Sequence, residues 1–285
     1  MKILKSETAM GLWNLSGGSF HKTLEIREGK NLIKAAYKAG IRTFDTAFSY
    51  KEASSILSSA MREIGKDDIS IISKVMPVPT LRKKAEAELR RLNADCFDVL
   101  LIHWPTKEEN LIESLEALSE LKAEGRAKSI GVSNFPFSLL KRAVKRFPIE
   151  YHERPLSLIW SKDWEEEKAL GLKTIAYSPL GMGILSGKYK MRDEITDSRV
   201  SLPFMKSSIT DEILKEIYGK PEKALSWVYS ENPWCVVQGF SSPSQLETLS
   251  RITELEEEEK EHLSSLSDRL SEEIEADNIF AHSWR

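Results

Sequence analysis

The chain has 285 residues, of which 41% are hydrophobic and 30% are charged. These proportions are typical of globular proteins that bury a sizeable core, and they exclude disordered, collagen-like and fibrous chains. The 41 Lys and Arg residues against 44 Asp and Glu residues give a formal net charge of −3, so there is no overall basic field of the kind on which nucleic-acid binding relies. We therefore expect an enzyme of small molecules with no nucleic-acid partner.

The start of the chain and its cysteines bear on location and on metal binding. The first residues, MKILKSETAM, lack the basic, apolar and cleavage regions of a secretory signal peptide, which predicts a cytoplasmic protein. No apolar run approaches the roughly 20 residues needed to cross a bilayer, so we expect no membrane partner. Cys96 and Cys235 form no CxxC motif, which predicts ordinary buried thiols and no structural metal site.

Strand-like and helix-like segments alternate along most of the chain. Short apolar or β-branched runs predict eight strands, at residues 10–15, 41–46, 70–75, 98–104, 129–134, 155–160, 173–178 and 234–239. Amphipathic segments between them predict helices at 27–39, 52–64, 81–92, 110–124, 137–146, 164–170 and 221–230. Because crossover helices pair successive strands in parallel, this order predicts one closed (β/α)8 TIM barrel, and we expect residues 1–285 to form a single domain.

Two segments depart from the alternation. Residues 181–208 are rich in Gly, Ser and charge and follow the seventh strand, so we interpret them as a functional loop. Residues 254–285 begin with an acidic run and continue with Leu263, Leu266 and Leu270 at helical spacing. This pattern predicts a C-terminal helix and tail that pack one apolar stripe on the barrel and expose the acidic face to water.

Polar residues stand where the second to fifth predicted strands end, which is where parallel barrels carry their chemistry. They are Asp45 with Tyr50 just beyond it, Lys74, His103, and Ser133 with Asn134. Each alone has an ordinary structural explanation, such as a helix cap, a surface charge or a core histidine. Those explanations do not account for such residues on consecutive strand ends, so we expect one shared site.

The predicted set has the composition of a proton donor that works near neutral pH. A free Tyr has a pKa near 10, and an ammonium beside it stabilises the phenolate, so we expect Lys74 to lower the pKa of Tyr50. Asp45 would hold Lys74, and His103 would hydrogen-bond the substrate oxygen. Since none of these residues is a hydride source, the set implies an organic redox cofactor.

Several motifs resemble those of the aldo-keto reductase family, in the same order and spacing from about residue 11 to 249. They are GIRTFDTA at 40–47 followed by Tyr50 and Glu52, LRRL at 89–92 leading to DVLLIHWP at 98–105, GR at 125–126, IGVSNF at 130–135, IAYSPLG at 175–181 with GILSGKY at 183–189, and ALSW at 224–227. The resemblance implies a barrel reductase without a Rossmann fold, and the chain has no GxGxxG loop.

The resemblance implies a reaction and a set of roles. The reaction is the NAD(P)H-dependent reduction of an aldehyde or ketone to an alcohol, with NADP(H) the first choice of cofactor and NAD(H) the second. The catalytic residues would be Asp45, Tyr50 as general acid, Lys74 and His103. The cofactor contacts would come from Ser133 and Asn134 on the nicotinamide amide, Tyr177 stacked on its ring, Ser178, Leu180, Gly181, Gly183 and Lys188 over the pyrophosphate, and Gly239, Ser241 and Gln245 near the adenosine. Trp13 and Trp104 would line the substrate pocket.

The chain also departs from the family pattern around the cofactor. Glu153 occupies the position at which relatives usually have Gln for the nicotinamide. Gly239 and Gln245 replace the Lys and Arg that often hold an adenosine 2′-phosphate, and Leu249 replaces an Asn. Lys51 follows Tyr50, where Gly is common.

Two other functions are compatible with the predicted barrel. One is a cofactor-binding regulatory or sensor protein with little turnover, comparable with the potassium-channel β subunits that the family contains. The other is an unrelated barrel enzyme, such as a phosphate-binding aldolase, in which Lys74 forms a Schiff base; it leaves Tyr50 and His103 without a role.

Overall fold

Parallel strands form a closed barrel in the computed structural model of the chain, which describes residues 7–16, 25–50, 52–77, 79–105, 108–276 and 279. The strands are β1 (Glu7–Gly11), β2 (Thr43–Asp45), β3 (Ser70–Val75), β4 (Phe97–Ile102), β5 (Ala127–Ser133), β6 (Tyr151–Pro155), β7 (Lys173–Tyr177) and β8 (Cys235–Gly239). Each strand pairs with the next, and β8 pairs with β1 to close the ring. The predicted (β/α)8 TIM barrel is therefore confirmed.

Helices follow the strands and cover the outside of the barrel. They are α1 (Ile26–Lys38), α2 (Ala53–Ile64), α3 (Leu81–Leu92), α4 (Glu108–Ala123), α5 (Phe137–Val144), α6 (Trp164–Lys168), α7 (Ile209–Ile217), α8 (Pro221–Ser230) and α9 (Glu257–Glu273). Helix α7 was not predicted from the sequence. The preceding loop contains short 3₁₀ turns at Gly181–Gly183, Arg192–Glu194, Ser198–Ser201 and Pro203–Lys206.

The prediction of the sixth strand was wrong. The predicted segment 155–160 shares only Pro155 with the true strand β6, and the residues after it form a buried turn in which Ser157 pairs with Trp160. Strand β6 is polar but buried, because His152 and Arg154 on its outer face lie 2.8 and 2.9 Å from the carboxylate of Glu167 in α6. The first strand is also displaced: β1 ends at Gly11, and residues 13–16 form a 3₁₀ turn.

Apolar side chains fill the lower part of the barrel interior. They alternate along the strands and include Ile72, Val99, Leu101, Tyr151 and Ile175. Because successive residues of a strand point to opposite faces, the residue two positions further along also faces the interior. The apolar layer therefore forms a floor beneath the carboxyl ends of the strands.

Helix α9 packs on the barrel in the way that the sequence predicts. Leu263, Leu266 and Leu270 are buried, while Glu257 and Glu258 in its first turn are exposed. Burial of each leucine stabilises this contact by about 1.5–3 kcal/mol. The end of the predicted tail, residues 280–285, lies outside the described residues.

Within the described ranges, no helix is both long and apolar enough to cross a bilayer. The same part of the chain has no group of three or more His, Cys, Asp or Glu side chains placed to hold a metal ion. Cys96 and Cys235 are both free thiols; Cys235 is buried and Cys96 is half-buried.

Candidate active site

The strand alternation places a group of polar side chains directly above the apolar floor. Lys74 is two residues after Ile72 on β3, and Glu153 is two residues after Tyr151 on β6. Asp45 is the last residue of β2 and lies in register with Ile72. Three ionisable groups from three different strands therefore meet inside the barrel.

Lys74 lies between two buried carboxyl groups. Its ammonium donates a hydrogen bond to Asp45 and another, of 3.1 Å, to the carbonyl of Thr46, and its Nζ lies 3.1 Å from Oε1 of Glu153. The side chains of Lys74, Asp45 and Glu153 are 1%, 5% and 3% exposed. Among the described residues, no donor hydrogen-bonds Oε2 of Glu153. We call these three residues the buried triad.

The buried triad contains two carboxyl groups, which can each carry a negative charge, but only one amino group, which can carry a positive charge. Burial, with repulsion from Asp45, raises the pKa of Glu153 to about 8. Burial alone would lower the pKa of Lys74, but the two carboxyl groups raise it above its usual value. Lys74 therefore remains an ammonium at neutral pH, which disfavours the Schiff-base role because only the free amine is nucleophilic.

Tyr50 lies in a 3₁₀ turn, Phe48–Tyr50, that follows β2. Its ring packs edge-on against His103, with centroids 5.6 Å apart, and Nζ of Lys74 is 5.6 Å from the centroid of the Tyr50 ring. The expected decrease in the pKa of Tyr50 is not observed: burial raises this pKa above its usual value, and the opposing effect of Lys74 is smaller. The phenol is therefore neutral at physiological pH.

His103 follows β4 and is neutral as well. Burial and the charge of Lys74 lower its pKa to about 3. Its Nδ1 lies 3.4 Å from the hydroxyl of Ser49, and its ring stacks on Trp104 with centroids 6.1 Å apart. If the Ser49 hydroxyl donates to Nδ1, Nε2 carries the imidazole proton.

Two residues that the sequence analysis did not identify hold the turn that carries Tyr50. Arg91 of α3 donates a 3.1 Å hydrogen bond to the carbonyl of Phe48, and its guanidinium lies 4.7 Å from the centre of the Phe48 ring. Glu88, fully buried on the same helix, lies 3.0 Å from Arg91 and accepts a hydrogen bond from Ser54 of α2. In the sequence, Glu88 lies on the apolar, inward-facing side of an amphipathic helix. A charged residue at such a position indicates a buried polar contact, and this was the signal by which Glu88 could have been found.

A second polar cluster joins the ends of β4, β5 and β7. Asn134 donates to the carbonyl of His103 at 3.0 Å and to the hydroxyl of Ser133 at 2.9 Å, and it accepts a 2.6 Å hydrogen bond from the hydroxyl of Tyr177. Both amide hydrogens of Asn134 are thus engaged within the protein. The hydroxyl of Ser133 accepts from Asn134 and retains its own proton to donate to a ligand.

The loop after β7 is held in a tight conformation. Gly181 has a φ of +52°, and a Cβ there would lie 2.3 Å from Cδ1 of Ile159, so this position requires glycine. Arg199 donates to the carbonyl of Met182 at 3.0 Å and to the hydroxyl of Tyr189 at 3.1 Å. These contacts anchor both ends of the segment that contains Gly183 and the exposed Lys188.

The rim above β8 is open and carries no charged side chain at the predicted contacts. Gly239 is exposed, and apart from Gly239 itself and its two chain neighbours, no atom of the described residues lies within 4 Å of the place where its Cβ would be. Gln245 accepts a 2.6 Å hydrogen bond from the backbone N–H of Ser241, and both residues are exposed.

The predicted site residues therefore lie at the carboxyl ends of the strands and in the segments that follow them. The barrel mouth holds the buried triad with Tyr50 and His103, and the second cluster meets it at His103. Trp13 lies half-buried in the turn after β1. Ser178 and Leu180, both half-buried, begin the loop after β7, and Gly239, Ser241 and Gln245 lie on the rim.

Comparisons with known proteins agree with this architecture. The sequence profile of the Aldo/keto reductase family matches residues 8–268. Aldo-keto reductase YhdN from Bacillus subtilis (strain 168) is 27% identical, over 88% of this chain and 86% of its own. The structure of a glycerol dehydrogenase from Gluconobacter oxydans superposes with a TM-score of 0.79 at 24% identity, over 92% and 91% of the two chains. The structure of an aldo/keto reductase from Klebsiella pneumoniae, solved in complex with NADP and acetate, superposes with a TM-score of 0.70 at 22% identity. The match covers 95% of this chain and 93% of the Klebsiella chain. The chain belongs to the aldo/keto reductase family.

Proposed function

We propose that the protein reduces an aldehyde or a ketone to an alcohol with a nicotinamide cofactor, and that Tyr50 is the general acid. The observation that carries this proposal is the grouping of Tyr50, His103, Lys74 and Asp45 at the mouth of the barrel. A neutral phenol and a neutral imidazole side by side are two hydrogen-bond donors for one carbonyl oxygen.

The residues around the barrel mouth fit a nicotinamide cofactor. Ser133 has a hydroxyl proton free for an amide oxygen, and Tyr177 offers an aromatic face fixed by Asn134. Gly239 leaves open space on the rim. The NADP in the related Klebsiella structure supports the same cofactor here. When bound, the cofactor supplies the hydride.

The proposed mechanism uses the protein groups to stabilise the negative charge that develops on the carbonyl oxygen. His103 donates from Nε2 and orients the substrate, while Tyr50 transfers its proton to the oxygen. Lys74 stabilises the resulting phenolate, and Asp45 keeps Lys74 in position. A positioned general acid of this kind accelerates reactions by about 10²–10⁴-fold.

The remaining residues would bind the cofactor and the substrate. We assign Ser178, Leu180, Gly181, Gly183 and Lys188 to the pyrophosphate, and Gly239, Ser241 and Gln245 to the adenosine end. Trp13 and Trp104 would border the substrate; the stacking of Trp104 on His103 supports its assignment.

A fluorescence titration with NADPH and with NADH, followed by assays with a panel of aldehydes and ketones, tests this function. We expect saturable binding of at least one cofactor and consumption of the reduced form when a carbonyl compound is added. Binding without turnover on any carbonyl would support the sensor function instead. Absence of binding by both cofactors would refute the proposal.

A further inference from the structure

The buried triad has one negative charge too many for its surroundings. If Asp45 and Glu153 are both ionised, Lys74 compensates only one of them, and the second carboxylate remains buried without a counter-ion. Such a charge is costly in a low-dielectric interior, whereas one retained proton makes the triad neutral. Both carboxyl groups contact Lys74, but Asp45 lies nearer to its ammonium, so Glu153 is the carboxyl group that keeps the proton.

The other groups that face Glu153 do not supply the missing positive charge. Tyr50 after β2, Tyr177 on β7 and Cys235 on β8 are all held neutral, since burial raises the pKa of each above its usual value. His103 after β4 is neutral too.

The neighbouring residues on β6 do not change this balance. Arg154 points to the outer face of the barrel, where its guanidinium lies 2.9 Å from Glu167. His152 shares that carboxylate at 2.8 Å. The charge balance inside the barrel therefore depends on Asp45, Lys74 and Glu153.

Glu153 lies beside the place proposed for the nicotinamide. It is in register with Ser133 on β5, and its backbone carbonyl accepts a 2.9 Å hydrogen bond from the N–H of Asn134. On the other side it is in register with Ile175, two residues before Tyr177. Strand β6 thus runs between the two groups proposed to hold the ring.

We propose that Glu153 is a charge-sensing residue of the cofactor site: it releases its proton when the oxidised, positively charged nicotinamide binds, and it keeps the proton when the reduced, neutral ring binds. The inference rests on the proposed function. The oxidised ring is the counter-ion that the second carboxylate lacks, and attraction between opposite charges is strong at buried sites. The proton goes to the solvent.

Calorimetric titrations of the protein with NADP⁺ and with NADPH, each in buffers of different ionisation enthalpy, measure the protons released on binding. The 2′-phosphate is common to both ligands, so the difference between them isolates the effect of the ring. At pH 7 we expect NADP⁺ to release about 0.9 proton more than NADPH, because a group whose pKa is about 8 is about 90% protonated there. At pH 9.5 the difference should be close to zero.

The affinities give a second readout of the same exchange. Linkage requires the dissociation constant of NADP⁺, divided by that of NADPH, to fall as pH rises. Below pH 8 this ratio should fall by up to about tenfold for each unit of increase in pH. A ratio that does not change between pH 6 and pH 9 would overturn the inference.

Two variants test the assignment to Glu153. In Glu153→Gln the difference in proton release should vanish while both cofactors still bind, because the amide has the same shape and does not titrate. In Asp45→Asn, Lys74 pairs with Glu153 alone, so Glu153 is already ionised and again no proton is released. Thermal unfolding confirms that each variant is folded. Proton release in Glu153→Gln equal to that of the unaltered protein would overturn the inference.

Glu150→Gln is the matched control. Glu150 precedes β6 and pairs with Lys122 outside the barrel interior, where hydrogen bonds keep its pKa below the usual value. This variant should release protons like the unaltered protein. If neither cofactor binds the unaltered protein, the proposed function itself fails; binding of both with equal proton release contradicts only the role of Glu153.

Discussion

Tyr50 combines two opposing influences at a single residue. Burial favours the neutral phenol, while the ammonium of Lys74 favours the phenolate. Such a group keeps its proton in the resting protein and gives it up only to a stronger base. In the proposed reaction, the oxygen of a carbonyl that is accepting a hydride is such a base, so Tyr50 would transfer its proton only during that reaction.

Replacement of Tyr50 by Phe tests this role with the smallest change. The ring and its contact with His103 remain, so cofactor binding should be retained, while turnover should fall by about 10²-fold or more because the general acid is lost. Cofactor titration and steady-state assays measure the two effects. Turnover like that of the unaltered protein would contradict the assignment.

Glu153 should also make the stability of the protein depend on pH. Its folded-state pKa of about 8 exceeds the ordinary 4.5, so the native state binds this proton more tightly than the unfolded state does. The resulting stabilisation is fully present below pH 4.5 and is lost as pH rises through 8. Relative to Glu153→Gln, the free energy of unfolding of the unaltered protein should decrease by up to about 5 kcal/mol as pH rises between these limits.

Urea unfolding of both proteins at pH 5.5, 7 and 9 measures this difference. The free energy of unfolding of Glu153→Gln should increase relative to the unaltered protein as pH rises. Parallel pH dependences would show that Glu153 is ionised throughout.

At the scale of secondary-structure elements, most strands and helices could be predicted from periodicity. Helix α3 and strand β3 have the predicted bounds, because α3 buries apolar residues at helical spacing and β3 contains the β-branched residues Ile71, Ile72 and Val75. Strand β6 was missed because its polar residues find partners on both faces, Lys74 inside and Glu167 outside. Hydrophobicity instead marked the buried turn that follows. Helix α7 was missed because it follows a loop rather than a strand.

The candidate site was also predictable in part. Asp45, Lys74 and Tyr50 could be named because each lies at or just beyond the end of a predicted strand. Glu153 was recognised through the family resemblance, but its contact with Lys74 depends on the correct position of β6. Arg91 was missed because an Arg on an amphipathic helix ordinarily contacts solvent.

Helix α3 should influence catalysis through the turn that carries Tyr50. Arg91→Gln removes the hydrogen bond to the carbonyl of Phe48 and leaves the buried carboxylate of Glu88 without its ion pair. We expect kcat to fall about tenfold, since a small displacement of a general acid is costly, while the cofactor dissociation constant changes less than twofold. Arg90→Gln, an exposed neighbour on the same helix, is the matched control. Equal kcat values in the two variants would exclude a positioning role for Arg91.

At the scale of the whole molecule, the net charge of −3 offers no general attraction to an anionic cofactor, so any preference for NADPH must come from local cations. Gly239 and Gln245 are uncharged. Hydrogen bonds to charged groups contribute about 1.5–3 kcal/mol each. Without the bonds that Lys and Arg at these positions would make to the 2′-phosphate, NADPH should be favoured over NADH by only about 1 kcal/mol, roughly fivefold in affinity. If the exposed Arg251 or Lys188 binds the 2′-phosphate and so provides this remaining preference for NADPH, the preference should decrease as the salt concentration rises.

Dissociation constants of NADPH and NADH at about 0.02 and 0.2 M salt test this preference, since charges are screened within about 10 Å at 0.1 M. A thousandfold preference for NADPH that is insensitive to salt would contradict the prediction.

The pairing of β1 with β8 has a consequence for synthesis on the ribosome. Glu7 lies in register with Cys235, so β1 is made early but receives its second neighbour only when almost the whole barrel has been translated. At about 5–20 residues per second this interval is on the order of tens of seconds. During that time the nascent sheet has two open edges that can pair with other chains. The nascent protein should therefore depend on chaperones until β8 emerges from the exit tunnel and closes the ring.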